Sequence, residues 1–353
     1  MSQTHYNQPV AVSPMGFGAK PRDLDFKKKT AVRKNPGDDM VRVLVAGGAG
    51  FIGSHLVRLL KSEHNEVTVL DNLSTGLREN LPEDTELIEL DVRDSDVRRV
   101  VVEGRFDAAV NLAGQTMVDV SISKPILDAD ENILGTINLL EAMRQGAVKR
   151  IIFASTAAAY GNVTAEELPI LENRALMPMS FYGLSKVTAE RYLSLYRDIF
   201  DMEYVALRFA NVYGERQGDG GEGGVISIFT KKLAAGEPIT IFGDGEQTRD
   251  FVYAGDIAAG IVAALVTKNV NTVYNLSSCT ETSLRELVSL LAQIAGRDII
   301  PQYAAERPGD IRRSVLSNQR AARGLDWQAK TSLAEGLKRT YEYFCGRGEG
   351  GSS

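Results

Sequence analysis

Two residues that could carry out proton transfer, Tyr182 and Lys186, stand four positions apart at the start of a predicted helix. Side chains at positions i and i+4 share one face of a helix. A lysine cation beside a tyrosine lowers the pKa of the phenol, which can then take or give a hydroxyl proton. Thr156 follows the apolar run RIIFAS, at the strand end where α/β sites form. These three residues predict an acid–base centre in which Thr156 could hold a substrate oxygen.

A glycine-rich turn joins the first predicted strand to the first predicted helix. Gly47, Gly50 and Gly53 give the spacing GxxGxxG. Such glycines permit a tight turn, close approach of the backbone to a pyrophosphate and close packing of helix on strand, and the helix amino terminus attracts phosphate. Asp71 ends the second strand about 20 residues later, where a carboxylate should accept ribose hydroxyls and repel a 2′-phosphate. The pattern predicts a dinucleotide site that prefers NAD to NADP.

Strands that alternate with helices must position these residues. The apolar runs are nearly continuous, as expected for strands buried on both faces. They lie at 41–46, 66–70, 86–90, 107–113, 150–155 and 204–210, and helical patterns lie at 51–62, 128–145 and 182–200. This order predicts an α/β fold with a Rossmann-type doubly wound parallel sheet.

The predicted domain boundaries divide the chain into four parts. Residues 1–40 contain many breaks in periodicity and are expected to form a disordered or arm-like extension, and 346–353 a flexible tail. The Rossmann domain should take 41–210 plus about 244–272. A smaller, discontinuous substrate lobe should take about 211–243 plus 273–345, with helices at 226–235, 284–296 and 331–344.

Composition excludes several classes of protein. The formal charge is −6, so there is no global attraction to nucleic acid or to an anionic membrane, and we expect neither as a partner. No apolar run approaches the about 20 residues of a membrane span, and the first residues lack the apolar core of a secretory signal. Two cysteines and three scattered histidines give neither a disulfide framework nor a metal site. We therefore expect a cytoplasmic protein without a bound metal.

Taken together, the glycine turn, the segment STAAAYG that contains Thr156, and the Tyr182/Lys186 pair resemble the extended short-chain dehydrogenase/reductase family. The resemblance extends from about Val41 to Phe344. Within the NAD-dependent epimerase/dehydratase group, the chain most resembles nucleotide-sugar 4-epimerases of the UDP-glucose 4-epimerase type, and DNLSTG at 71–76 is typical of them.

This resemblance implies a set of binding residues. The implied catalytic residues are Thr156, Tyr182 and Lys186, of which the last two also contact NAD. The other implied cofactor residues are Gly47, Gly50, Phe51, Ile52, Gly53, Asp71, Asn72, Asp91, Val92 and Ala113. The implied substrate residues are Asn211, Val225, Phe242, Arg249, Arg307, Asp310 and Ser314. The two arginines would neutralise a sugar diphosphate, and Asp310 would take the nucleoside hydroxyls.

The residues after Thr156 restrict the implied reaction. Sugar 4,6-dehydratases carry Asp and Glu where this chain has Ala157 and Ala158, and UDP-glucuronate decarboxylases usually carry Glu at the second position. Methyl groups cannot do acid–base work. What remains is the set of Thr156, Tyr182, Lys186 and NAD, which suffices for 4-epimerisation of a UDP-hexose, UDP-glucose or UDP-galactose, through a transient 4-keto sugar.

Three alternatives stay open at this stage. One is a UDP-glucuronate 4-epimerase, for which Arg216 lies in a loop that could reach a C6 carboxylate. Another is a different NAD-dependent nucleotide-sugar oxidoreductase, and the third is a non-catalytic binding protein. Epimerases restricted to glucose and galactose carry a tyrosine where this chain has Ser314, so N-acetylated sugars should also fit. The resemblance also implies a homodimer that pairs through the helices near 126–144 and 182–200.

Overall fold

Nearly continuous β-branched runs give the central sheet, because strands covered on both faces need no polar side. The computed structural model describes residues 40–218, 224–306 and 311–346. Within these ranges the central sheet has seven parallel strands: β1 Arg42–Ala46, β2 Glu66–Asp71, β3 Glu86–Glu89, β4 Ala108–Asn111, β5 Arg150–Thr156, β6 Glu203–Phe209 and β11 Thr272–Leu276. Their order is β11-β6-β5-β4-β1-β2-β3, so the predicted doubly wound sheet is confirmed. The order reverses between β1 and β4, which is where ligands bind in such folds.

Helices cover both faces of this sheet and build the lobe beyond it. They are α1 Phe51–Ser62, α2 Val97–Gly104, α3 Val118–Ser123, α4 Pro125–Ala129, α5 Gly135–Gln145, α6 Phe181–Phe200, α7 Val225–Ala235, α8 Ala254–Val266, α9 Leu284–Ala295, α10 Gln319–Leu325 and α11 Leu333–Phe344. The helix at 51–62 has the predicted bounds, whereas α2 and α3 were not predicted. In the described part of the chain, no helix is long and apolar enough to cross a bilayer.

The helix predicted at 128–145 is interrupted by a wider turn. Residues Asp130–Leu134 form one π-helical turn between α4 and α5. Such turns are rare and occur frequently at functional sites. On α5, Leu140 is buried in the core, while Ile137 is only half-buried.

The long helix α6 has a defined start. Ser180 is its N-cap residue, and the Ser180 hydroxyl accepts a hydrogen bond of 3.1 Å from the amide of Gly183, which satisfies one of the unpaired first-turn donors. This cap fixes where the helix begins, and therefore where Tyr182 lies in its first turn.

Short strands and three helices form the smaller lobe. The strands are β7 Asn211–Tyr213, β8 Thr240–Phe242, β9 Thr248–Arg249, β10 Phe251–Tyr253, β12 Thr282–Ser283 and β13 Gln302–Ala304. They pair as β7 with β10, β8 with β13 and β9 with β12. A separate apolar core, which includes Phe229, Leu287 and Leu337, joins α7, α9 and α11.

The sequence-based boundaries near 244 and 272 both need correction. Strands β9 and β10, at 248–253, belong to the lobe, and Phe251 and Tyr253 are part of its apolar core. Strand β11, Thr272–Leu276, pairs with β6 along the edge of the central sheet, so this part of the chain belongs to the sheet and not to the lobe. Alternation alone could not show this, because about sixty residues separate β6 from β11, and they include both lobe strands and helix α8, which packs against α1. Apart from Met40 and Gly346, the predicted arm and tail lie outside the described residues.

Candidate active site

The glycine turn between β1 and α1 has no room for side chains at two positions. Gly47 has φ +79°, and a Cβ there would lie 2.6 Å from the amide nitrogen of Ala113. A Cβ at Gly53 would lie 2.1 Å from the carbonyl oxygen of Gly47. Gly50 is the N-cap residue of α1 and offers no side chain to the first-turn amides. These amides and the helix dipole therefore favour an anion at this turn.

Asp71 lies at the carboxyl end of β2, next to the glycine turn. Its carboxylate accepts hydrogen bonds of 2.9 Å from the amides of Ala49 and Leu73. Burial raises the pKa of this carboxyl, and the two amide bonds oppose the rise. The amides fix the carboxylate in one orientation, although each oxygen can accept a further bond.

A cavity, here called the first cavity, opens over the ends of β1 to β4. Its lining includes seven predicted cofactor residues: Gly47, Gly50, Asp71, Asn72, Asp91, Val92 and Ala113. The Asn72 amide donates to Asp91 over 2.7 Å. Arg93 donates to both oxygens of Asp91, and these bonds hold the pKa of that carboxyl well below its usual range. The predicted cofactor residues on these strands therefore lie around one space.

A larger central cavity of about 610 Å³ lies beside the first and shares Gly47, Gly50 and Leu112 with it. Thr156, Tyr182 and Lys186 all line the central cavity, as do Phe51, Ile52 and Gly53. The structure thus brings together predicted site residues from three elements, β5, α6 and α1. The Thr156 hydroxyl accepts a hydrogen bond of 3.1 Å from the amide of Ala158, so its own proton remains for donation to a bound group.

The ammonium of Lys186 is almost fully buried. It lies 5.1 Å from the ring centre of Phe153 and 6.0 Å from that of Tyr182, and the residue is 4% exposed. Burial lowers the pKa of Lys186 to about 8, and the negative charge of Asp128 opposes this shift. A partly desolvated cation beside the phenol is the arrangement that stabilises a phenolate.

Sequence reasoning missed a buried polar cluster next to Lys186. The Asp128 carboxylate accepts from the amides of Gln115 and Asn132, over 2.8 and 3.1 Å. Asn132 lies in the π turn and also contacts the Ser185 hydroxyl at 3.2 Å. Asp128 and Asn132 are each 1% exposed. The sequence contains little signal for this cluster, because Asp128 and Asn132 stand in a run with Asp130 and Glu131, which is typical of an exposed helix start.

Only some of the predicted substrate residues line the central cavity. Asn211, at the start of β7, and Val225, at the start of α7, line the central cavity. Phe242, Arg249 and Ser314 are not among its lining residues. The Arg249 guanidinium donates to the carbonyls of Thr248 and Ile311, over 2.9 and 2.6 Å. Arg307 and Asp310 lie outside the described residues.

Other lining residues of the central cavity were not predicted from the sequence. They are contributed by the turn after β4, by α3 and by the loop before α7, and include Thr116, Met117, Val118, Asp119 and Gln217. Asp119 is the only carboxylate among the described residues that line the cavity. The rule that placed Thr156 at a strand end would also have indicated the turn after β4.

Two further observations bear on the chemistry of the site. Arg216, in the loop before α7, donates from Nε to the Ser54 hydroxyl on α1 over 2.9 Å. In the described ranges, no group of three or more histidine, cysteine or acidic side chains is arranged to hold a metal ion.

Comparisons with known proteins identify the family of this chain and several relatives. The family model described as NAD dependent epimerase/dehydratase family matches residues 43–277. The UDP-glucose 4-epimerase of Mycolicibacterium smegmatis is 38% identical over 310 residues, which is 86% of this chain and 98% of that protein.

Solved structures are similar over the same range. The crystal structure of the Thermotoga maritima UDP-glucose 4-epimerase with UDP-glucose has a TM-score of 0.83 and 41% identity, covering 86% of this chain and 98% of that one. The UDP-N-acetylglucosamine 4-epimerase of Methanobrevibacter ruminantium, in complex with UDP-N-acetylmuramic acid, has a TM-score of 0.82 and 32% identity, with 87% and 99% coverage. Since the family model spans more than half of the sequence, this chain belongs to the NAD dependent epimerase/dehydratase family.

Proposed function

We propose that this chain is an NAD-dependent nucleotide-sugar 4-epimerase that acts on UDP-hexoses. The observation that carries the proposal is the meeting of Thr156, Tyr182 and Lys186 with the glycine turn around one cavity. Support also comes from relatives of nearly equal length that are UDP-glucose 4-epimerases, at 38% and 41% identity.

The residues present fit NAD. Backbone atoms occupy the space that a side chain at Gly47 or Gly53 would need, so the turn stays tight. The first-turn amides of α1 are open and suit a pyrophosphate. Asp71 offers a buried, oriented carboxylate to ribose hydroxyls and would repel a 2′-phosphate. Asn72, Asp91, Val92 and Ala113 would surround the adenine side. NAD, when bound, supplies a hydride acceptor that later returns the hydride.

Tyr182 would remove the proton from the C4 hydroxyl of the sugar and later return it. Lys186 supports this role because its positive charge favours the phenolate in a site where water screens little. Thr156 would donate its hydroxyl proton to the sugar oxygen and hold it near the phenol. The chain thus supplies one proton-transfer group, one electrostatic partner and one orienting donor.

Epimerisation also requires that the sugar can turn over while its diphosphate stays bound. Asn211 and Val225 lie on the lobe side of the central cavity, where they would contact the nucleotide half. Phe242, Arg249, Arg307 and Asp310 stay predictions as further contacts. A firm grip on the diphosphate, combined with few polar contacts to the hexose, leaves the 4-keto sugar free to present its other face.

Other reactions of the family are less well supported. Ala157 and Ala158 bring no acid or base to the carbons beyond C4. A C6 carboxylate would meet Asp119 in the cavity lining, and Arg216 donates to Ser54. We therefore rank UDP-glucose and UDP-galactose above UDP-glucuronate. Ser314 in place of a tyrosine suggests that N-acetylated sugars also fit, and one relative at 32% identity is a UDP-N-acetylglucosamine 4-epimerase.

A homodimer is part of the proposal. Several apolar side chains stay exposed on α3, α4, α6 and the π turn: Ile122, Ile126, Leu134, Leu184, Leu195 and Ile199. Their exposed fractions reach 84% at Ile126 and 66% at Ile199, and such clustered apolar surface is typical of protein–protein contacts. A second copy that covers this face would also rigidify the helix that begins with Tyr182. A cytoplasmic location stays a prediction from composition.

The direct test is to incubate the protein with single UDP-hexoses and resolve the C4 epimers by chromatography. We expect UDP-glucose and UDP-galactose to interconvert without net consumption of NAD. Stoichiometric formation of NADH with an oxidised sugar would instead favour the alternative of a net oxidoreductase. Absence of any sugar conversion, with NAD bound, would contradict both.

A further inference from the structure

A buried ion pair lies directly beneath the catalytic end of the sheet. The Arg208 guanidinium on β6 binds both oxygens of Glu190 on α6, over 2.9 Å from Nε and 2.6 Å from Nη2. Arg208 is 3% exposed and Glu190 7%. Glu190 follows Lys186 by one helical turn and Tyr182 by two, so the three side chains share one face of α6.

The pair is tied to the strand that carries Thr156. The Ser155 hydroxyl donates to the Glu190 carboxylate over 2.5 Å, and Ser155 immediately precedes Thr156 on β5. One carboxylate therefore fastens α6 to both β5 and β6. Ser155, on one side of this contact, is the residue before Thr156. Glu190, on the other side, lies two helical turns after Tyr182.

The network continues into the loop after β5. Arg208 also donates to the hydroxyl of Tyr160 over 3.0 Å, and its guanidinium lies 4.9 Å from the centre of that ring. The Tyr160 hydroxyl in turn donates to Asn275 on β11 over 2.6 Å. The network therefore joins four elements. β5, α6 and β6 carry direct contacts of the ion pair, and β11 is linked to it through Tyr160.

We infer that Glu190 and Arg208 are positioning residues, which set the register of α6 against β5 and so fix the placement of Tyr182 relative to Thr156. A buried ion pair contributes little net stability compared with apolar packing, but it can specify one arrangement among several. Apolar contacts would tolerate a small slide of α6, whereas a bidentate pair with a third donor does not. A displacement of about 1 Å in a reacting group can cost about a hundredfold in rate.

The chain offers a matched control at the opposite end of the same two strands. The Arg150 guanidinium at the start of β5 binds Glu203 at the start of β6, over 2.9 and 2.7 Å, and the side chain of Arg150 is 4% exposed while that of Glu203 is 31% exposed. This pair joins the same strands but contacts neither α6 nor the strand ends that carry the site. If both pairs only stabilised the fold, variants of either pair would lower the midpoint of thermal unfolding and leave kcat unchanged.

This inference rests on the proposed function. The experiment compares Glu190→Gln and Arg208→Lys with Glu203→Gln and Arg150→Lys. All four variants should lower the midpoint of thermal unfolding. Only the first two should lower kcat for UDP-glucose, by tenfold or more, with KM changed less than threefold. Ser155→Ala keeps the ion pair and loses its link to β5, and it should lower kcat by a similar factor with little loss of stability.

Crystal structures of Glu190→Gln and Glu203→Gln give a readout that does not depend on turnover. Tyr182 should shift relative to Thr156 only in Glu190→Gln. Equal kcat values for the two glutamate variants, or an unchanged Tyr182 position in Glu190→Gln, would overturn the inference. A wild-type protein without epimerase activity would defeat the proposed function, while the shift of Tyr182 would still decide the positioning role.

Discussion

The ammonium of Lys186 lies 6.0 Å from the centre of the Tyr182 ring, one helical turn away on α6. In the proposed function the phenol carries the proton and the lysine is its electrostatic partner. Tyr182→Phe should fold and bind NAD but lose roughly 10²–10⁴-fold in kcat, because it removes only the acid–base group. Steady-state assays with UDP-glucose measure this loss, and an unchanged turnover would remove Tyr182 from the mechanism.

The buried position of Lys186 gives a pH dependence. Its pKa of about 8 means that the cation is lost as pH rises through 8, whereas an exposed lysine keeps its charge to about pH 10.4. Without the cation the Tyr182 phenolate loses its stabilising partner. We expect kcat/KM to fall above pH 8, approaching about tenfold per pH unit. A profile that stays flat to pH 10 would show that Lys186 keeps its charge in the working enzyme.

Two glycines of the turn should respond differently to alanine. At Gly53 a Cβ would lie 2.1 Å from the Gly47 carbonyl, so Gly53→Ala should destabilise the fold by roughly 1–3 kcal/mol. At Gly50 the nearest atom to a Cβ is 3.4 Å away, so Gly50→Ala should unfold like wild type and yet lose bound NAD. Denaturant unfolding and nucleotide release after denaturation provide the two measurements. Full NAD retention in Gly50→Ala would place the pyrophosphate elsewhere.

The exposed apolar face of α6 should be covered by a second subunit. Leu195 is 53% exposed on this face, and Leu195→Glu should convert a dimer into monomers, because it would bury a charge in the interface. Val102→Glu on α2 is the control, since Val102 is also an exposed apolar helical residue, at 42%. Sedimentation velocity at micromolar concentration distinguishes the states. A monomeric wild type would refute the dimer.

Ser314 should decide whether an N-acetyl group is accepted. It is half-buried in the segment after the region of Arg307 and Asp310. Ser314→Tyr should abolish turnover of UDP-N-acetylglucosamine and spare UDP-glucose, because a phenol would occupy the space beside C2. Parallel assays with the two sugars measure the effect. Rejection of the N-acetylated sugar by wild type would show that Ser314 is not the gate.

Much of the fold was predictable because its signals are local. The spacing of Gly47, Gly50 and Gly53 follows from backbone geometry within one turn, and the bounds of α6 follow from an apolar period and a serine cap. The position of Thr156 follows from the end of one apolar strand. These features depend on a few neighbouring residues, so the sequence contains them directly.

The rest depends on contacts between distant residues. The sequence of β11 is no more typical of a strand than the sequences of several lobe segments. Only the pairing of β11 with β6 assigns it to the central sheet. The partnership of Glu190 with Arg208 is likewise invisible in the sequence, since a glutamate on a helix and an arginine on a strand are usually exposed. The π turn at Asn132 arises where tertiary hydrogen bonds override the regular helix.

The position of β11 also determines the order in which the protein can be completed during synthesis. β6 is flanked by β5 on one side and by β11 on the other, and its Val205, Ala206 and Leu207 are fully buried. Until the ribosome has released residues 272–276, β6 is paired with β5 on one side only, and its other side is an open edge of an apolar strand, which is a template for aggregation. A nascent chain therefore carries this edge while the lobe segments are being made. Chains that terminate before Thr272 would keep this edge of β6 exposed, and we expect such fragments to aggregate.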